Sequence, residues 1–248
     1  KRIMTKPAVL ILGARSDMAL AVAHAFAAQG HPVQLAARDC ARLESTRHDM
    51  ELRHRVGVTV HEFDVLDLAG HAAFLDALPE LPGVVLCAVG AMGDQTDSEQ
   101  NPDLAVTVMR TNYEGPAHVL GLIANRFLAR GNGTIVGISS VAGLRGRATN
   151  YVYGSAKAGF TAWLSGLRNR LARHGVHVVT VLPGFVATRM TAGMDLPPRL
   201  TAQPDEVAQA IVKGVTQGRN VIYVRPVWRL IMAIICAIPE TVFKRMKL

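Results

Sequence analysis

The stretch AVLILGARSDMALAVAHAFAAQGHPVQLAAR, residues 8–38, decides the fold. Residues 8–13 are continuously apolar up to a glycine, which is typical of a strand buried on both faces of a sheet. The alanine-rich residues 18–30 end in Gly30 and predict a helix, and residues 32–38 predict a second strand. This order of elements predicts two parallel strands joined by a crossover helix.

The same alternation continues along the chain and predicts one α/β domain. We expect a doubly wound Rossmann-type fold over residues 7–225, in which helices flank both faces of a seven-stranded, mainly parallel sheet. Ligands of such sheets bind at the carboxyl ends of the strands. The remaining predicted strands are 58–65, 83–90, 133–140, 176–184 and 220–224, and the remaining predicted helices are 40–55, 67–78, 101–130, 151–175 and 205–218.

Composition limits the classes of partner. Half of the 248 residues are hydrophobic, which suffices for the core of one large domain. The net charge of +8 favours anionic partners, but no zinc-finger spacing, RNP-like motif or polybasic arm points to nucleic acid, which we do not expect as a partner. Cys40, Cys87 and Cys236 are far apart and odd in number, so we expect a cytoplasmic protein with neither disulfides nor a metal site.

The turn after the first strand, GARSDMA (13–19), suits a pyrophosphate group, because a helix N-terminus offers unpaired N–H groups and the positive end of its dipole. The alternative is an ordinary strand-to-helix turn in which Ser16 or Asp17 caps the helix. Asp17 and Ala19 stand where glycines would let a phosphate approach the backbone, so the motif is degenerate. The expected cofactor contacts in this turn are Gly13, Arg15, Ser16, Asp17 and Met18.

The end of the second strand predicts which cofactor is bound. A carboxylate there would bind the ribose 2′-hydroxyl of NAD, whereas an arginine suits the 2′-phosphate of NADP. The chain has Ala37 and then Arg38, and Arg15 offers a second positive charge, so we expect NADP(H) to be favoured over NAD(H). The alternative is that Arg38 merely pairs with Asp39 on the surface.

A helical segment later in the chain contains a tyrosine–lysine pair. Tyr153 and Lys157 are four residues apart, so in a helix they project from one face, and Ser140 precedes the tyrosine by thirteen residues. With its other motifs the chain resembles the short-chain dehydrogenase/reductases over about residues 7–225. The motifs that carry the resemblance are GARSDMA (13–19), DV (64–65), CAVG (87–90), TN (111–112), SSVAG (139–143), YGSAK (153–157) and PGFVAT (183–188).

The resemblance implies an oxidoreductase with a catalytic tetrad. Tyr153 would be the proton donor. The Lys157 ammonium, with the positive nicotinamide of the oxidised cofactor, would lower the pKa of the phenol, and Lys157 would also hold the ribose hydroxyls of the cofactor. Ser140 would hydrogen-bond the substrate oxygen, and Asn112 would reach Lys157 through a water. Tyr151 would form a wall of the substrate pocket. Each residue also has an alternative role without catalysis. Tyr153 and Lys157 would be a pair on a helix surface, Ser140 a cap at the end of a strand, and Asn112 a polar residue inside a helix.

The resemblance also implies cofactor contacts along the sheet edge. CAVG (87–90) replaces the Asn-Asn-Ala-Gly usual in the family, which removes a polar residue that stabilises the sheet. Family members are usually dimers or tetramers, and we expect a homodimer or homotetramer here. The implied contacts are Asp64 and Val65 at the adenine, Ala88 and Gly90 along the cofactor, Tyr153 and Lys157 beside the ribose, and Pro183, Gly184, Val186 and Thr188 on the nicotinamide side.

The C-terminal segment, residues 226–248, differs from the rest of the chain. Residues 230–238 are wholly apolar, follow Trp228 and Arg229, and precede several basic residues. A helix needs about 20 consecutive apolar residues to cross a bilayer, so this run is too short to do so. Two interpretations stay open: a helix packed on the core or on a partner subunit, or a segment in the headgroup region of an anionic membrane. The basic residues are Lys244, Arg245 and Lys247.

The degenerate turn, the CAVG segment and the basic apolar tail are similar to features of the reductases that act on decaprenylphosphoryl 2-keto-pentose. That similarity implies a small-molecule or lipid-linked carbonyl substrate and a position at the inner face of the membrane. Residues 188–204 would be the substrate lid, and their methionines suit an apolar ligand. Two other functions fit the same fold: a non-catalytic NADP-binding regulator or scaffold, and a membrane adaptor that uses residues 227–248.

Overall fold

The structure is a computed structural model that describes residues 6–246. Its strands are β1 (Val9–Leu12), β2 (Val33–Ala37), β3 (Val58–Glu62), β4 (Val84–Cys87), β5 (Gly133–Ile138), β6 (Val176–Pro183), β7 (Phe185–Val186), β8 (Thr201–Ala202) and β9 (Val221–Val224). Seven of these described strands form one sheet in the order β3-β2-β1-β4-β5-β6-β9, with every neighbouring pair parallel. The doubly wound fold predicted from the sequence is therefore confirmed, and its sheet is parallel throughout.

Helices cover both faces of this sheet. They are α1 (Asp17–Ala27), α2 (Glu44–His54), α3 (His71–Asp76), α4 (Gln95–Gln100), α5 (Pro102–Met109), α6 (Gly115–Arg130), α7 (Tyr151–Leu171), α8 (Pro204–Thr216), α9 (Val227–Ala237) and α10 (Glu240–Phe243). Side chains of β1 alternate between the two layers: Val9 and Ile11 join the core with α1, α2 and α8, whereas Leu10 and Leu12 join the core with α3, α6 and α7. Burial on both faces explains why the strands read as continuous apolar runs.

Two helical regions differ from the sequence prediction. α4 lies between the predicted strand 83–90 and the predicted helix 101–130, where the sequence predicted no element because QTDSEQ has no hydrophobic periodicity. Its start is set instead by Asp94, whose side chain accepts a hydrogen bond of 2.9 Å from the Asp97 backbone N–H. The helix predicted over 101–130 is α5 and α6 joined by a π-helical turn, Arg110–Glu114.

One face of α9 packs on the fold. Trp228 and Met232 are buried in a small cluster with Val141 and Leu182. The Trp228 indole N–H donates a 3.1 Å hydrogen bond to the Leu200 carbonyl, which ties α9 to the segment before β8. The cluster lies beside the carboxyl end of β6, so α9 closes this end of the sheet.

Arg145 holds the end of the same segment. Its guanidinium donates to the carbonyl oxygens of Cys236 and Ile238 at 2.9 and 3.1 Å and pairs with Glu240 at 2.8 Å. It also lies 4.1 Å from the centroid of the buried Phe243 ring. One arginine therefore satisfies carbonyl groups at the end of α9 and orders α10.

The outer face of α9 has no cover in the described chain. Leu230 is 64% exposed and Ile234 is 59% exposed, and the basic residues Lys244 and Arg245 that follow are also exposed. Lys247, the last of the predicted basic residues, lies outside the described residues. Within residues 6–246, every helix is too short or too polar to cross a membrane.

Candidate active site

A cleft of about 630 Å³ opens at the carboxyl ends of β1, β2 and β4. This is the edge at which parallel sheets bind ligands, and the size suits most of a dinucleotide. Its walls bring together residues that are far apart in the chain. The predicted cofactor contacts that line it are Gly13, Arg15, Ser16, Asp17, Met18, Arg38, Asp64, Val65, Ala88, Gly90 and Thr188.

The turn between β1 and α1 has the geometry of a close-approach site. Gly13 has a φ of +82°, and a Cβ atom there would lie 3.0 Å from the Val89 backbone nitrogen, so glycine is required on both counts. The Ser16 side chain accepts a 3.1 Å hydrogen bond from Ala19 N–H and caps α1. Capping and cofactor binding are therefore compatible, because the N-terminus of α1 opens directly into the cleft.

Asp17, which stands where a glycine was expected, is neutralised by an arginine that the sequence analysis missed. Its carboxylate accepts hydrogen bonds from Arg189 at the backbone nitrogen (2.8 Å) and at Nε (2.9 Å), and Arg189 also donates to the Arg15 carbonyl. Arg189 lies in the predicted lid and lines the cleft. The pair keeps an uncompensated negative charge away from the end of the cleft where a pyrophosphate would bind.

The second strand ends in a set of charges around Arg38. Asp39 pairs with Arg15 at 3.0 Å rather than with Arg38, so the proposed Arg38–Asp39 surface pair is wrong. Glu62 accepts hydrogen bonds from the Asp39 and Cys40 backbone nitrogens at 3.0 and 2.9 Å and fixes this turn. The Arg38 side chain is exposed, lines the cleft and has no hydrogen bond within residues 6–246.

A smaller cavity of about 140 Å³ adjoins the cleft and contains the tyrosine–lysine pair. The two spaces share Ala88, Gly90 and Thr188 in their walls. Tyr151 is 46% exposed and does not line this cavity, so its predicted place in the substrate pocket is wrong. The predicted residues that line the cavity are Ser140, Tyr153, Lys157, Ala88, Gly90, Met18, Pro183, Gly184, Val186 and Thr188.

Lys157 is buried in the wall between the sheet and α7. Its Nζ donates a 3.0 Å hydrogen bond to the Ile138 carbonyl at the end of β5 and lies 5.7 Å from the centroid of the Tyr153 ring. α7 reaches this position because Gly154 lets the helix approach the turn after β5: a Cβ atom there would lie 2.9 Å from the Ala142 carbonyl oxygen.

Burial sets the protonation of both groups. It raises the pKa of Tyr153 to about 12, and a hydrogen bond with Ser140 offsets only part of that rise. It lowers the pKa of Lys157 to about 8. In the chain by itself the phenol therefore stays protonated at neutral pH. The lowering expected from Lys157 together with an oxidised nicotinamide stays a prediction for the cofactor-bound protein.

Asn112 is buried in the π-helical turn and holds the segment beside the cavity. Its Nδ2 donates to the carbonyl oxygens of Ala91 (2.6 Å) and Val108 (2.8 Å), and its Oδ1 accepts from Ala91 N–H (3.3 Å). A Cβ atom on Gly90 would lie 2.9 Å from the Asn112 Oδ1 and 3.4 Å from the Lys157 Nζ, so both side chains face Gly90. The predicted link from Asn112 to Lys157 through a water stays a prediction.

Two comparisons with known proteins match most of the chain. A sequence profile for short chain dehydrogenases matches residues 7–197. An uncharacterised oxidoreductase of Mycobacterium tuberculosis is 35% identical over 241 residues, which cover 96% of each chain.

Two solved structures share the fold and differ in cofactor. A short-chain dehydrogenase from Sphingobium yanoikuyae in complex with NADPH is 26% identical, with a TM-score of 0.79 over 94% of this chain and 97% of that one. A 3-oxoacyl-[acyl-carrier protein] reductase from Brucella melitensis in complex with NAD is 25% identical, with a TM-score of 0.77 over 88% and 95%.

The buried Lys157 predicts a pH-dependent stability. Its ordinary pKa of 10.5 falls to about 8 on folding, so between these values the unfolded chain binds more protons and the free energy of unfolding rises with pH. We expect Lys157→Met to stabilise the chain by about 2 kcal/mol at neutral pH, after loss of the Ile138 bond. The gain should shrink as the pH rises towards 10.5.

Urea unfolding at neutral pH and at about pH 9.5 measures this difference. Lys213→Met is the control, because it removes an exposed lysine from α8. Parallel pH dependences for the wild type and Lys157→Met would show that the ammonium is not desolvated.

Proposed function

The chain belongs to the short-chain dehydrogenase family, and on that premise we propose that it is an NADPH-dependent reductase of a carbonyl compound. The observation that carries the proposal is one cavity in which Tyr153, Ser140 and Lys157 meet beside a cleft of dinucleotide size. A protonated phenol at neutral pH suits a group that gives its proton to a substrate oxygen.

Three residues have different roles in the reduction of the carbonyl group. The bound nicotinamide supplies the hydride. Tyr153 donates its phenolic proton to the oxygen as negative charge develops there. Ser140 Oγ accepts a 3.1 Å hydrogen bond from Ala142 N–H, which leaves its own hydrogen to donate to the same oxygen. Lys157, when protonated, stabilises the phenolate left on Tyr153, because an opposite charge nearby favours the ionised form.

NADPH is the cofactor that the charges at the cleft favour. Arg38 follows β2 directly and has no partner in the described chain, so its guanidinium is available to a 2′-phosphate. Asp39 is the carboxylate that follows Arg38 in the chain, and its pairing with Arg15 weakens it as an acceptor for the ribose hydroxyls of NAD. The N-terminus of α1 and the Arg189 guanidinium, which line the cleft, would hold the pyrophosphate.

The exposed face of α9 points to a substrate at a membrane surface. Leu230 and Ile234 present an apolar strip, and Arg229, Lys244 and Arg245 are basic and exposed beside it. An apolar strip with basic neighbours is the pattern of a segment that lies in the headgroup region of an anionic bilayer. We therefore propose a small-molecule or lipid-linked carbonyl substrate, reduced at the inner face of the membrane by a homodimer or homotetramer.

A non-catalytic NADP-binding regulator or scaffold is the alternative. It would need the cleft but would have no use for a desolvated lysine and a protonated phenol in one cavity. Burial of Lys157 costs stability that a binding module gains nothing from, which favours the enzyme.

Loss of the phenol tests the proton donor. We expect Tyr153→Phe to lower kcat by about 10²- to 10⁴-fold, because general acid catalysis contributes that much, while binding of NADPH persists. Steady-state kinetics on any ketone that the wild type reduces measures the effect. Tyr151→Phe, two residues away and outside the cavity, is the matched control. Full turnover by Tyr153→Phe would make the assignment wrong, and NADPH binding without turnover of any ketone by the wild type would favour the scaffold.

The charge at the end of β2 is tested by cofactor affinity. We expect Arg38→Met to weaken NADPH binding by about 10- to 100-fold and to leave NADH binding nearly unchanged, because only NADPH carries the 2′-phosphate. Calorimetric titration with both cofactors measures the two affinities. Arg42→Met removes an equal charge from the next turn and serves as the control. An unchanged ratio of the two affinities would refute the role of Arg38.

The outer face of α9 is tested with vesicles. We expect the double variant Leu230→Glu, Ile234→Glu to lose sedimentation with anionic phosphatidylglycerol vesicles, because charged side chains replace the apolar strip. Leu52→Glu is the control, since Leu52 is 80% exposed on α2. If the double variant changes the oligomeric mass in solution and vesicles never bind the wild type, the face is a subunit interface instead.

A further inference from the structure

Arg147 lies in the loop between β5 and α7 and differs from every comparable arginine. It is the partly buried arginine of residues 6–246 whose side chain has no hydrogen bond and no ion pair. Its neighbour Arg145 uses its guanidinium fully at the C-terminal segment. The other partly buried arginines with side-chain partners are Arg15, Arg47, Arg126, Arg130, Arg168 and Arg225.

The absence of a hydrogen-bond partner for Arg147 lowers the stability of the folded chain. The Nε atom of Arg147 is enclosed by protein without an acceptor, and burial lowers the pKa of the guanidinium. A charged group in such a place is stable only when an opposite charge or several acceptors reach it. The terminal nitrogens of Arg147 also have no hydrogen bond in residues 6–246 and, unlike Nε, are open to solvent or to a ligand.

Asn150 is a second polar residue without its usual partner. It stands at the N-cap of α7, where an asparagine side chain normally accepts from the first-turn N–H groups, yet it makes no such bond. Gln95 of α4 accepts from the Val152 N–H instead, at 3.3 Å. The Asn150 Oδ1 is enclosed and has no donor. Because Gln95 takes over part of the capping, Asn150 keeps a free acceptor.

Both residues line the cavity that contains Tyr153 and Lys157. No aspartate or glutamate of residues 6–246 lines it, so the Arg147 guanidinium, together with Lys157 when protonated, makes the cavity positively charged. Much of the remaining wall is apolar, with Met92, Phe185, Met190 and Met194 among its residues. The cavity therefore combines a proton donor, an unpaired guanidinium and an apolar surface.

We propose that Arg147 binds an anionic group of the substrate, a carboxylate or a phosphate, and that Asn150 accepts a hydrogen bond from a substrate hydroxyl. This inference rests on the proposed reductase function and narrows its substrate to an anionic, hydroxylated carbonyl compound. A planar guanidinium binds either anion through two parallel hydrogen bonds, which restores the counter-charge that the chain lacks. Arg147 is then a specificity-determining residue, one loop away from the proton donor.

Matched ketones test the anion. Levulinate and methyl levulinate differ by one carboxylate, and dihydroxyacetone phosphate and dihydroxyacetone differ by one phosphate. We expect the wild type with NADPH to give a higher kcat/KM for the anionic member of at least one pair. We expect Arg147→Met to reduce that ratio by about 10- to 100-fold, because a charge-assisted bidentate contact is lost. The pair that responds identifies the anion.

Two comparisons distinguish a loss of anion recognition from a general loss of folding or activity. A misfolded or slow variant loses rate on both members of a pair, whereas only loss of anion recognition changes their ratio. Arg173→Met removes an exposed arginine after the end of α7 and should leave the ratios at the wild-type value. A wild type with no anion preference, or an Arg147→Met variant with the wild-type ratios, overturns the proposal.

Direct binding keeps the proposal apart from the reductase function. Calorimetry of levulinate and of inorganic phosphate added to the NADP⁺-saturated protein needs no turnover. Weaker binding by Arg147→Met than by wild type, from a protein that reduces no ketone, supports the anion site while the reductase function fails. Equal binding by the two proteins, or none by the wild type, overturns the anion site whatever the turnover.

Discussion

The buried ammonium of Lys157 is the interaction on which the site depends. It bonds to the Ile138 carbonyl, and this contact requires α7 to pass close to the turn after β5, where Gly154 removes the obstacle of a side chain. The same approach carries Tyr153 into the cavity and buries it enough to raise its pKa to about 12. One helix–turn contact thus places both groups and sets the protonation of both, at the cost of a desolvated charge.

Two carboxylates at the edge of the cleft are paired with arginines, Asp17 with Arg189 and Asp39 with Arg15, while Arg38 has no partner in residues 6–246. Asp64, which also lines the cleft, accepts a 2.9 Å hydrogen bond from Leu66 N–H instead. Pairing removes the repulsion that each carboxylate would exert on a bound phosphate, and the unpaired arginine adds attraction. Arg189 balances the charge of Asp17, so the degenerate turn is compatible with the proposed pyrophosphate contact.

Sequence reasoning succeeded where local pattern determines structure. Apolar runs located the strands, and the spacing of Tyr153 and Lys157 placed both on one face of α7. It failed where partners are distant in the chain: Arg189 meets Asp17 across 172 residues, and no local signal reveals that contact. The polar helix α4 was missed because its sequence has no hydrophobic periodicity. Its Gln95 accepts a hydrogen bond from Val152 N–H, in the first turn of α7, in place of Asn150. The motif identified Asn112 as a site residue. Its side chain, however, donates hydrogen bonds to the backbone carbonyl groups of Ala91 and Val108, and only the fold brings Ala91 to it.

Unsatisfied polar groups mark where the fold leaves room for a ligand. Stable cores pair their buried polar atoms, and each exception costs about 1–3 kcal/mol. Two of the enclosed, unpartnered atoms in residues 6–246, on Arg147 and Asn150, belong to the wall of the one cavity that also holds Tyr153. Replacing both by apolar residues would stabilise the empty chain, so their presence there is better explained by a bound group than by folding. The substrate then completes the wall: its carbonyl meets the phenol, and its charge meets the arginine that the protein leaves unpaired.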